Sequence, residues 1–511
     1  MSDCVYTKIV EKWGTFEVTV QGKSDKNPFV DYKIGGTFRS KNEIKKVDGF
    51  YDGEGRYMVR FMPSFEEEYE FELEGNFSNE KYTGQFHVVK PGTNNHGPVH
   101  VENTYHFAYE DGKPYYSIGT TCYVWALQAQ ELQEQTLETL KNSAFNKIRF
   151  CVFPKHYDYN FNEPITYPYV GTPCDNSGLT KENFYGYMGK APGNDWDFEQ
   201  FNPLHFQLFE KRIQDLMELG IEADLIIMHP YDRWGFSEMS AKQDDLYWNY
   251  VIARFSAYRN VWWSLANEYD LLFKKTMEDW ERYASIICSK DAYNHLRSIH
   301  NCRAFYNYNR PWITHCSLQR QDIYKSTELT EELRISYHKP IVWDEIAYEG
   351  NIQHGWGNIS GKELIRRFWE AACRGGYAGH GETFMHPQDI LWWSHGGTLH
   401  GESPDRLKFL SKIMQEIPGF GLKPIQENWD EVAATVDSFL NMQKPYNFYL
   451  FYYGFNRPSF RNYYFDDSSE YKVELLDTWE MTITEIGKFK GRFTVQMPGK
   501  EYMAVRITKI I

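Results

Sequence analysis

NVWWSLANEYD, at residues 260–270, is an apolar run that ends in Asn267 and Glu268. The run has the length and composition of a buried strand, and a carboxylic acid at the end of such a strand is costly unless it has a partner or a function. A second apolar run, IVW at 341–343, ends in Asp344 and Glu345. Two strands that each end in a glutamate predict an active site with paired carboxylates.

The spacing of these two glutamates predicts a barrel. Glu268 and Glu345 are 77 residues apart, and a (β/α)8 barrel of about 250 residues uses about 30 residues for each strand and helix. Three compact units therefore fit between them, which puts Glu268 on strand 4 and Glu345 on strand 7, at the catalytic face. Retaining glycosidases need two carboxyl groups about 5–5.5 Å apart, one as nucleophile and one as acid/base.

Length and charge narrow the class of protein. A chain of 511 residues predicts two or three domains. The net charge of −15 argues against nucleic-acid and anionic-membrane partners. No run approaches the roughly 18 apolar residues of a membrane span. The first residues, MSDCVYTKIVEKWG, lack the apolar segment of a signal peptide, so we expect a cytoplasmic protein; homo-oligomerisation is left open.

Cysteine and aromatic residues add two further expectations. The eight cysteines are scattered without a C-x-x-C pair, which indicates reduced thiols. Aromatic residues make up 17% of the chain, and their flat rings would cover the C–H faces of a sugar in a binding cleft.

Hydrophobic patterning divides the chain into three domains. Residues 5–89 alternate polar and apolar at period two, which predicts a β-sandwich. From residue 115 strands alternate with helices, which predicts a parallel sheet. A helix at 405–417 precedes a return to alternating strands from about residue 425. We therefore expect an α/β (β/α)8 TIM barrel at 93–422, flanked by an immunoglobulin-like β-sandwich at 1–92 and a second β-sandwich at 423–511.

The predicted barrel strands number eight, as a closed barrel requires. A helix is predicted from Pro203 to Leu219, with Asn202 as its N-cap and Gly220 at its end. The insertion at 156–202 is rich in tyrosine and is expected to shape the substrate pocket. The predicted barrel strands are 115–120, 147–152, 222–228, 261–266, 296–300, 313–318, 341–345 and 377–382; those of the C-terminal domain are 448–453, 471–476, 492–495 and 502–507.

Four ordered segments resemble a known group of enzymes. They are GTTCYVW at 119–125, WSLANEYD at 263–270, HLRSIHN at 295–301 and VWDEIAYEGN at 342–351. The chain resembles the clan A glycoside hydrolases, and within them the apiosidase-like catalytic family with an N-terminal immunoglobulin-like domain and a C-terminal β-domain. The resemblance covers essentially the full length. It implies a glycosidase that acts on plant-derived glycans, without fixing the sugar.

The resemblance also assigns roles. It implies Glu268 as general acid/base and Glu345 as nucleophile. Asn267 would bind the sugar hydroxyl next to the anomeric carbon, and Arg149 would keep the nucleophile ionised. Asp344 and Glu349 are the alternatives to Glu345. We expect the alternation of strand 7 to point one of Asp344 and Glu345 into the barrel and the other into the helix layer, while Glu349 suits a turn or a subsite.

Further polar and aromatic residues stand near predicted strand ends and are candidates for substrate binding. In clan A barrels a tryptophan after strand 8 often forms the floor of the subsite for the cleaved sugar, so we expect this role for Trp392 or Trp393, in a predicted loop. For each histidine, the alternative is a buried structural role; for Glu382 it is an ion pair near Arg149. The candidates are His229, His300, His380, Glu382, Trp392, Trp393 and His395, with Tyr123 and Trp125 at the rim.

Three other functions compete with a retaining glycosidase. A metal-dependent barrel hydrolase wants His-x-His at the end of strand 1, where this chain has Thr-Thr-Cys-Tyr at 120–123, so we expect no metal and no cofactor. A non-catalytic carbohydrate-binding barrel usually loses one of the carboxylates. A transglycosylase uses the same covalent intermediate and stays open. The substrate is expected to be an oligosaccharide or glycoside, and exo action is favoured by the insertion and the flanking domains.

Overall fold

The computed structural model describes residues 4–160, 162–188, 191–320, 322, 325–427 and 432–510. At the N-terminal end two β-sheets enclose an aromatic core, in which Phe16 stacks on Phe86 with ring centroids 3.7 Å apart. The period-two alternation thus forms the predicted β-sandwich. In spatial order, one sheet is Cys4–Tyr6, Phe16–Gln21, Arg56–Phe61 and Phe50–Tyr51; the other is Ile9–Glu11, Lys81–Val89, Glu68–Gly75, Ile34–Arg39 and Ile44–Asp48.

Eight parallel strands form the central barrel. A backbone bridge between His300 and Ser317 links the fifth strand to the sixth and closes the ring. The strands are mostly buried on both faces, which explains their continuous apolar runs. The predicted (β/α)8 barrel is confirmed. Barrel strands 1 to 8 are Gly119–Thr121, Lys147–Cys151, Glu222–Met228, Val261–Ala266, Arg297–Ser298, Cys316–Gln319, Ile341–Glu345 and Tyr377–His380.

Several barrel strands differ from their predicted bounds. Predicted strand 1 began too early, because Pro114–Tyr115 belongs to a small sheet with Val99–Glu102 and His106–Tyr109. That sheet packs against Trp262 and Tyr377 at the amino ends of the barrel strands and so covers the bottom of the barrel. Predicted strand 8 was too long, since Glu382–Thr383 leaves the barrel to pair with Glu349–Gly350. Strand 5 is shorter than predicted, and strand 6 is shifted toward its carboxyl end.

Helices surround the barrel, and their starts follow local sequence. Ser240 and Gln243 form a capping box, as do Thr276 and Asp279. Pro203 occupies the first turn of its helix, as predicted. The α-helices are Gln130–Lys141, Pro203–Glu218, Ala241–Phe255, Met277–Lys290, Thr330–Tyr337, Gly361–Cys373, Trp392–His395 and Ser403–Gln415; short 3-10 helices are Trp125–Leu127, Phe184–Tyr187, Phe236–Glu238, Tyr269–Leu271, Thr327–Leu329, Gly355–Gly357 and Phe439–Asn441. The insertion after strand 2 adds the pair Tyr169–Thr172 and Asp195–Phe201.

The C-terminal domain is a second β-sandwich, as predicted. Its core contains Tyr449, Tyr463 and Phe493. It packs on the barrel through Tyr452, whose ring stacks on Trp369 of the helix Gly361–Cys373. In spatial order its large sheet is Leu422–Ile425, Val432–Val436, Phe448–Tyr452, Met503–Ile510, Glu470–Asp477 and Thr482–Phe489; the small sheet is Phe460–Tyr464 and Arg492–Gln496.

The N-terminal domain is tied to the barrel by buried charges. Arg254 contacts Asp52 at 2.8 Å and Glu210 at 2.7 Å, and Arg60 contacts Glu210 at 2.5 Å. Each arginine has an opposite charge within reach, which a buried guanidinium requires. These contacts lie on the helix layer.

Candidate active site

Glu268 lies where strand 4 ends, and its backbone is unusual. Its φ of 52° and ψ of 56° are left-handed, a conformation that costs a non-glycine residue about 1–3 kcal/mol and is concentrated at functional sites. Its carboxylate accepts hydrogen bonds from the hydroxyl of Tyr231 and from Nε2 of Gln319, the latter at 2.9 Å. Both donors are neutral.

Glu345, at the end of strand 7, lies in different surroundings. Its Oε1 accepts a hydrogen bond from the Arg149 guanidinium at 3.1 Å and another from the hydroxyl of Tyr123. The same hydroxyl is 3.3 Å from Oδ1 of Asn267, which precedes Glu268. Tyr123 therefore links the ends of strands 4 and 7. The cation of Arg149 lies beside the carboxylate of Glu345, within hydrogen-bond distance.

The two carboxyl groups influence one another. Burial raises the pKa of Glu268, and the negative charge of Glu345 raises it further. The hydrogen bond from Tyr231 acts in the opposite direction because it stabilises the carboxylate. The arrangement favours a proton on Glu268, whereas Glu345 faces an arginine. An acid and a nucleophile need such different surroundings.

A bulge in strand 7 corrects the expectation about Asp344. The register with strand 6 shifts, so that Leu318 pairs with Trp343 but Gln319 pairs with Glu345. Asp344 is the extra residue, and the bulge breaks the alternation of side chains. Both Asp344 and Glu345 consequently point into the barrel, at two levels, and the prediction that one of them enters the helix layer was wrong.

Asp344 lies in a buried layer beneath the active site. It accepts hydrogen bonds from Nζ of Lys147 at 2.6 Å and from Ser317 at 2.5 Å, while Lys147 also contacts Asp224 at 2.8 Å. Burial alone would raise the pKa of Asp344, but the charges of Lys147 and Arg149 hold it well below its usual range. Asp344 is thereby occupied with structural contacts.

Some predicted substrate-binding residues lie around the carboxylates. Arg149 and Tyr123 contact Glu345, and Asn267 accepts a hydrogen bond from Tyr123, as described. Trp393 packs edge-on against Tyr123 at 5.5 Å. His229 lies beside Tyr231, with ring centroids 6.5 Å apart. His300 is buried within the barrel, where burial lowers its pKa well below the usual value and the charge of Arg149 lowers it further.

Other predicted residues face away from the carboxylates. His380 and Trp392 both hydrogen-bond Thr120, at 3.0 and 2.8 Å, and pack on Phe145 in the helix layer. Trp125 packs on Phe150 in the same layer. These three side chains therefore lie on the outer side of the barrel wall, away from the carboxylates. For His380 this is the buried structural role that was the alternative to substrate binding.

His395 and Glu382 are occupied with other contacts. Trp392 and His395 belong to a four-residue helix instead of the predicted loop, and His395 contacts Asn160 at 2.9 Å. Glu382 accepts hydrogen bonds from the backbone of His400 and Gly401. Its carboxylate is therefore neither free to bind a substrate nor paired with Arg149. Burial raises its pKa to about 7.

Glu349, the second alternative nucleophile, caps a helix. It accepts hydrogen bonds from the backbone of Glu402 and Ser403 and from the Ser403 hydroxyl, at the first turn of the helix Ser403–Gln415, where an anion is stabilised.

Three residues at the site were missed from sequence. Tyr231 and Gln319 hold Glu268, and Lys155 lies among the aromatic rings beside it. Gln319 follows the predicted end of strand 6 by one residue, which is a signal that could have found it. Tyr231 and Lys155 come from loops after strands 3 and 2, where periodicity gives no direction.

Three global features bear on function. Among the described residues, no group of three or more His, Cys, Asp or Glu side chains is arranged to hold a metal ion. All eight cysteines are described, and none forms a disulfide. No helix in the described ranges is both long enough and apolar enough to cross a membrane.

Three family models match this chain, and one of them covers the barrel with both glutamates. Residues 101–395, more than half of the chain, match the model of the apiosidase-like catalytic domain. The chain belongs to this family. The match includes both glutamates and confirms the family predicted from the sequence. Residues 9–76 and 429–508 match two models described as domains of unknown function, DUF5060 and DUF5605.

Similarity to solved structures extends over the flanking domains. A candidate glycoside hydrolase from Bacteroides vulgatus ATCC 8482 is 35% identical, with a TM-score of 0.89, over 99% of this chain and 100% of the other. A glycoside hydrolase family 5 protein from the same organism shares the fold at 16% identity, with a TM-score of 0.60, over 81% of this chain and 94% of the other. No protein with a curated description matches the chain significantly.

Proposed function

We propose that this protein is a retaining glycoside hydrolase that acts by double displacement on β-type or equivalent furanosidic linkages. Glycosidase activity is supported by the apiosidase-like family and by relatives named as glycoside hydrolases. The observation that carries the finer proposal is the contrast between Glu268, held by the neutral donors Tyr231 and Gln319, and Glu345, held by Arg149.

The first step forms a glycosyl-enzyme. An oxygen of Glu345 attacks the anomeric carbon, and the bond from that carbon to the leaving oxygen breaks as Glu268 donates its proton to it. The electron pair of the broken bond stays with the leaving group, which departs as a neutral alcohol. Asn267 hydrogen-bonds the adjacent sugar hydroxyl, a contact that tightens as positive charge develops on the ring.

The second step releases the sugar. Glu268, now ionised, removes a proton from water, the water oxygen attacks the anomeric carbon, and the bond to Glu345 breaks. Two inversions give net retention. The raised pKa of Glu268 supports this role, since the same group must be an acid first and a base afterwards.

The surroundings of the carboxylates support exo action on small glycosides; plant origin is proposed from the family resemblance alone. Tyr157 of the insertion packs on Tyr231 and near Trp393, at 4.8 and 6.3 Å, and so narrows the glycone side. On the other side Tyr231 borders a groove of about 360 Å³ that includes Leu271 and Phe273. We assign the leaving group to this groove because it adjoins the proton donor.

Two alternatives use the same architecture. A non-catalytic carbohydrate-binding protein would not need a second carboxylate opposite an arginine. A transglycosylase would transfer the same intermediate to a sugar instead of to water.

The test is hydrolysis of 4-nitrophenyl glycosides that cover both anomers of xylose, glucose, galactose, arabinofuranose and apiose, and both anomers of glucuronic, galacturonic and mannuronic acid, with proton NMR of the first product. Retention of the anomeric configuration is expected. Inversion would contradict double displacement, and the absence of any turnover would favour the binding protein. A transfer product that exceeds hydrolysis at low acceptor concentration would identify a transglycosylase.

A further inference from the structure

Lys155 is a buried cation that the two-step reaction does not use. Its residue is 3% exposed, and its Nζ lies over the ring of Tyr123 at 3.2 Å from the centroid. The rings of Tyr231, Trp393 and Tyr157 surround it at 4.4, 4.7 and 5.7 Å. Four aromatic faces therefore form a cage around one ammonium group.

The cage does not satisfy this ammonium group. Within the described part of the chain, Lys155 makes no ion pair within 4.0 Å, and its Nζ has no hydrogen-bond acceptor. An ammonium carries three N–H donors, and burial of an unpaired charge is costly. Cation–π contacts recover part of this cost but accept no hydrogen bond. Burial accordingly lowers the pKa of Lys155 to about 8.

The structural lysine one layer below shows what a satisfied buried ammonium looks like. Nζ of Lys147 is 2.8 Å from Asp224 and 2.6 Å from Asp344. Lys155 has the same charge and similar burial, but no described carboxylate lies within 4.0 Å of it; Glu268 and Glu345 act on it only from a greater distance. A packing role would be served better by an uncharged side chain of the same length, because replacing buried charges by apolar groups is often neutral or stabilising.

The cage belongs to the substrate pocket. The Tyr123 hydroxyl contacts Glu345, and the Tyr231 hydroxyl contacts Glu268, so two of the four rings connect Lys155 to the two carboxyl groups. The charges of Glu268 and Glu345 also act on the pKa of Lys155, so the ammonium lies near the carboxyl groups between which a sugar would sit. Glu345 is already paired with Arg149, so the charge of Lys155 stays available to an anionic sugar.

We propose that Lys155 is a specificity-determining residue that binds a carboxylate of the substrate, so that the cleaved sugar is a uronic acid. This inference rests on the proposed function for its substrate position. A carboxylate supplies both the opposite charge and the acceptor oxygens that Lys155 lacks, whereas a hydroxyl supplies an acceptor without the charge. A neutral sugar would leave the cation without a carboxylate at hydrogen-bond distance.

The experiment measures equilibrium binding by isothermal titration calorimetry, independently of turnover. The probes are three matched pairs that differ only at C6: glucuronate and glucose, galacturonate and galactose, mannuronate and mannose. We expect at least one uronate to bind wild type about tenfold or more tightly than its neutral partner. Lys155→Met should abolish that preference and leave the affinity for the neutral sugar within about twofold.

Two controls keep the result interpretable. Lys181→Met makes the same chemical change at an exposed lysine of the insertion, paired with Asp389 at 2.8 Å, and should retain the preference. Lys155→Arg keeps the charge and should retain part of it. Uronates that bind no better than their partners, or a Lys155→Met variant that weakens both members equally, would overturn the proposal. Hydrolysis of neutral glycosides alone would overturn it while leaving the glycosidase function intact.

Discussion

Two levels of the barrel differ in how their buried charges are paired. The mouth is the level of Glu268, Glu345 and Lys155, and the layer beneath it is the level of Lys147, Asp224 and Asp344. In the layer, Lys147 is shared by Asp224 and Asp344, and Asp344 also accepts a hydrogen bond from Ser317. At the mouth, the described partners of Glu268 are the neutral donors Tyr231 and Gln319, and those of Lys155 are ring faces. The charged groups of the layer are paired with one another, whereas the charged groups of the mouth can still form hydrogen bonds and ion pairs with a substrate. The two levels of one barrel therefore differ in whether their buried charges are paired with one another.

The largest effect should come from removing the nucleophile at the mouth. Glu345→Gln preserves the shape of the side chain and an acceptor for Tyr123, but an amide is no nucleophile. We expect kcat to fall on the order of 10⁴–10⁶-fold, with an unchanged thermal midpoint. Steady-state kinetics and differential scanning calorimetry measure the two quantities. A loss of activity matched by unfolding would mean that Glu345 is structural.

Removing the proton donor should cost less and should depend on the substrate. For Glu268→Gln we expect kcat/KM to fall about 10²–10⁴-fold on substrates with alkyl leaving groups. The loss should shrink on 2,4-dinitrophenyl glycosides, whose leaving group departs without a proton. An equal loss on both substrates would contradict the assignment of Glu268 as the acid.

The comparison of the two lysines predicts opposite effects on stability. Lys147→Met leaves two buried carboxylates without their cation, and we expect the free energy of unfolding to fall by about 3–5 kcal/mol. Lys155→Met removes a buried charge that has no ion pair, and we expect no loss, or a gain of about 1 kcal/mol. Urea unfolding of both variants tests this. Equal destabilisation would show that the two lysines share one structural role.

The smallest effect concerns the pH dependence of activity. Glu268 must be protonated to act as the acid, so kcat/KM should fall as the pH rises through its raised pKa. The Tyr231 hydrogen bond lowers that pKa, and Tyr231→Phe should therefore move the alkaline limb to higher pH, by about one unit or less. Tyr157→Phe, in the same cage, is the control and should leave the limb in place.

The sequence predicted the barrel and the positions of Glu268 and Glu345 at strand ends better than the side chains around them. An apolar run that ends in Asn267-Glu268 or in Asp344-Glu345 can be recognised within one short stretch of sequence. The structure places both glutamates at strand ends. The bulge at Asp344 left no trace in composition, so the facing of Asp344 was predicted wrongly.

The short strand 8 explains other differences. A strand of four residues, Tyr377–His380, gives too little alternation to decide which side chains face the interior, and its last residue, His380, lies in the helix layer. Trp392, in the short helix that follows, lies in the same layer. Lys155 and Tyr231 reach the site from loops, whose paths depend on tertiary packing and not on a local period.

The most direct test of the account is chemical rescue of Glu345→Ala by azide, on an aryl glycoside that wild type hydrolyses. Azide should occupy the space of the missing carboxylate, restore release of the aryl group, and give a glycosyl azide whose anomeric configuration is opposite to that of the substrate. Rescue of Asp344→Ala instead, or a Glu345→Ala variant as active as wild type, would contradict Glu345 as the nucleophile.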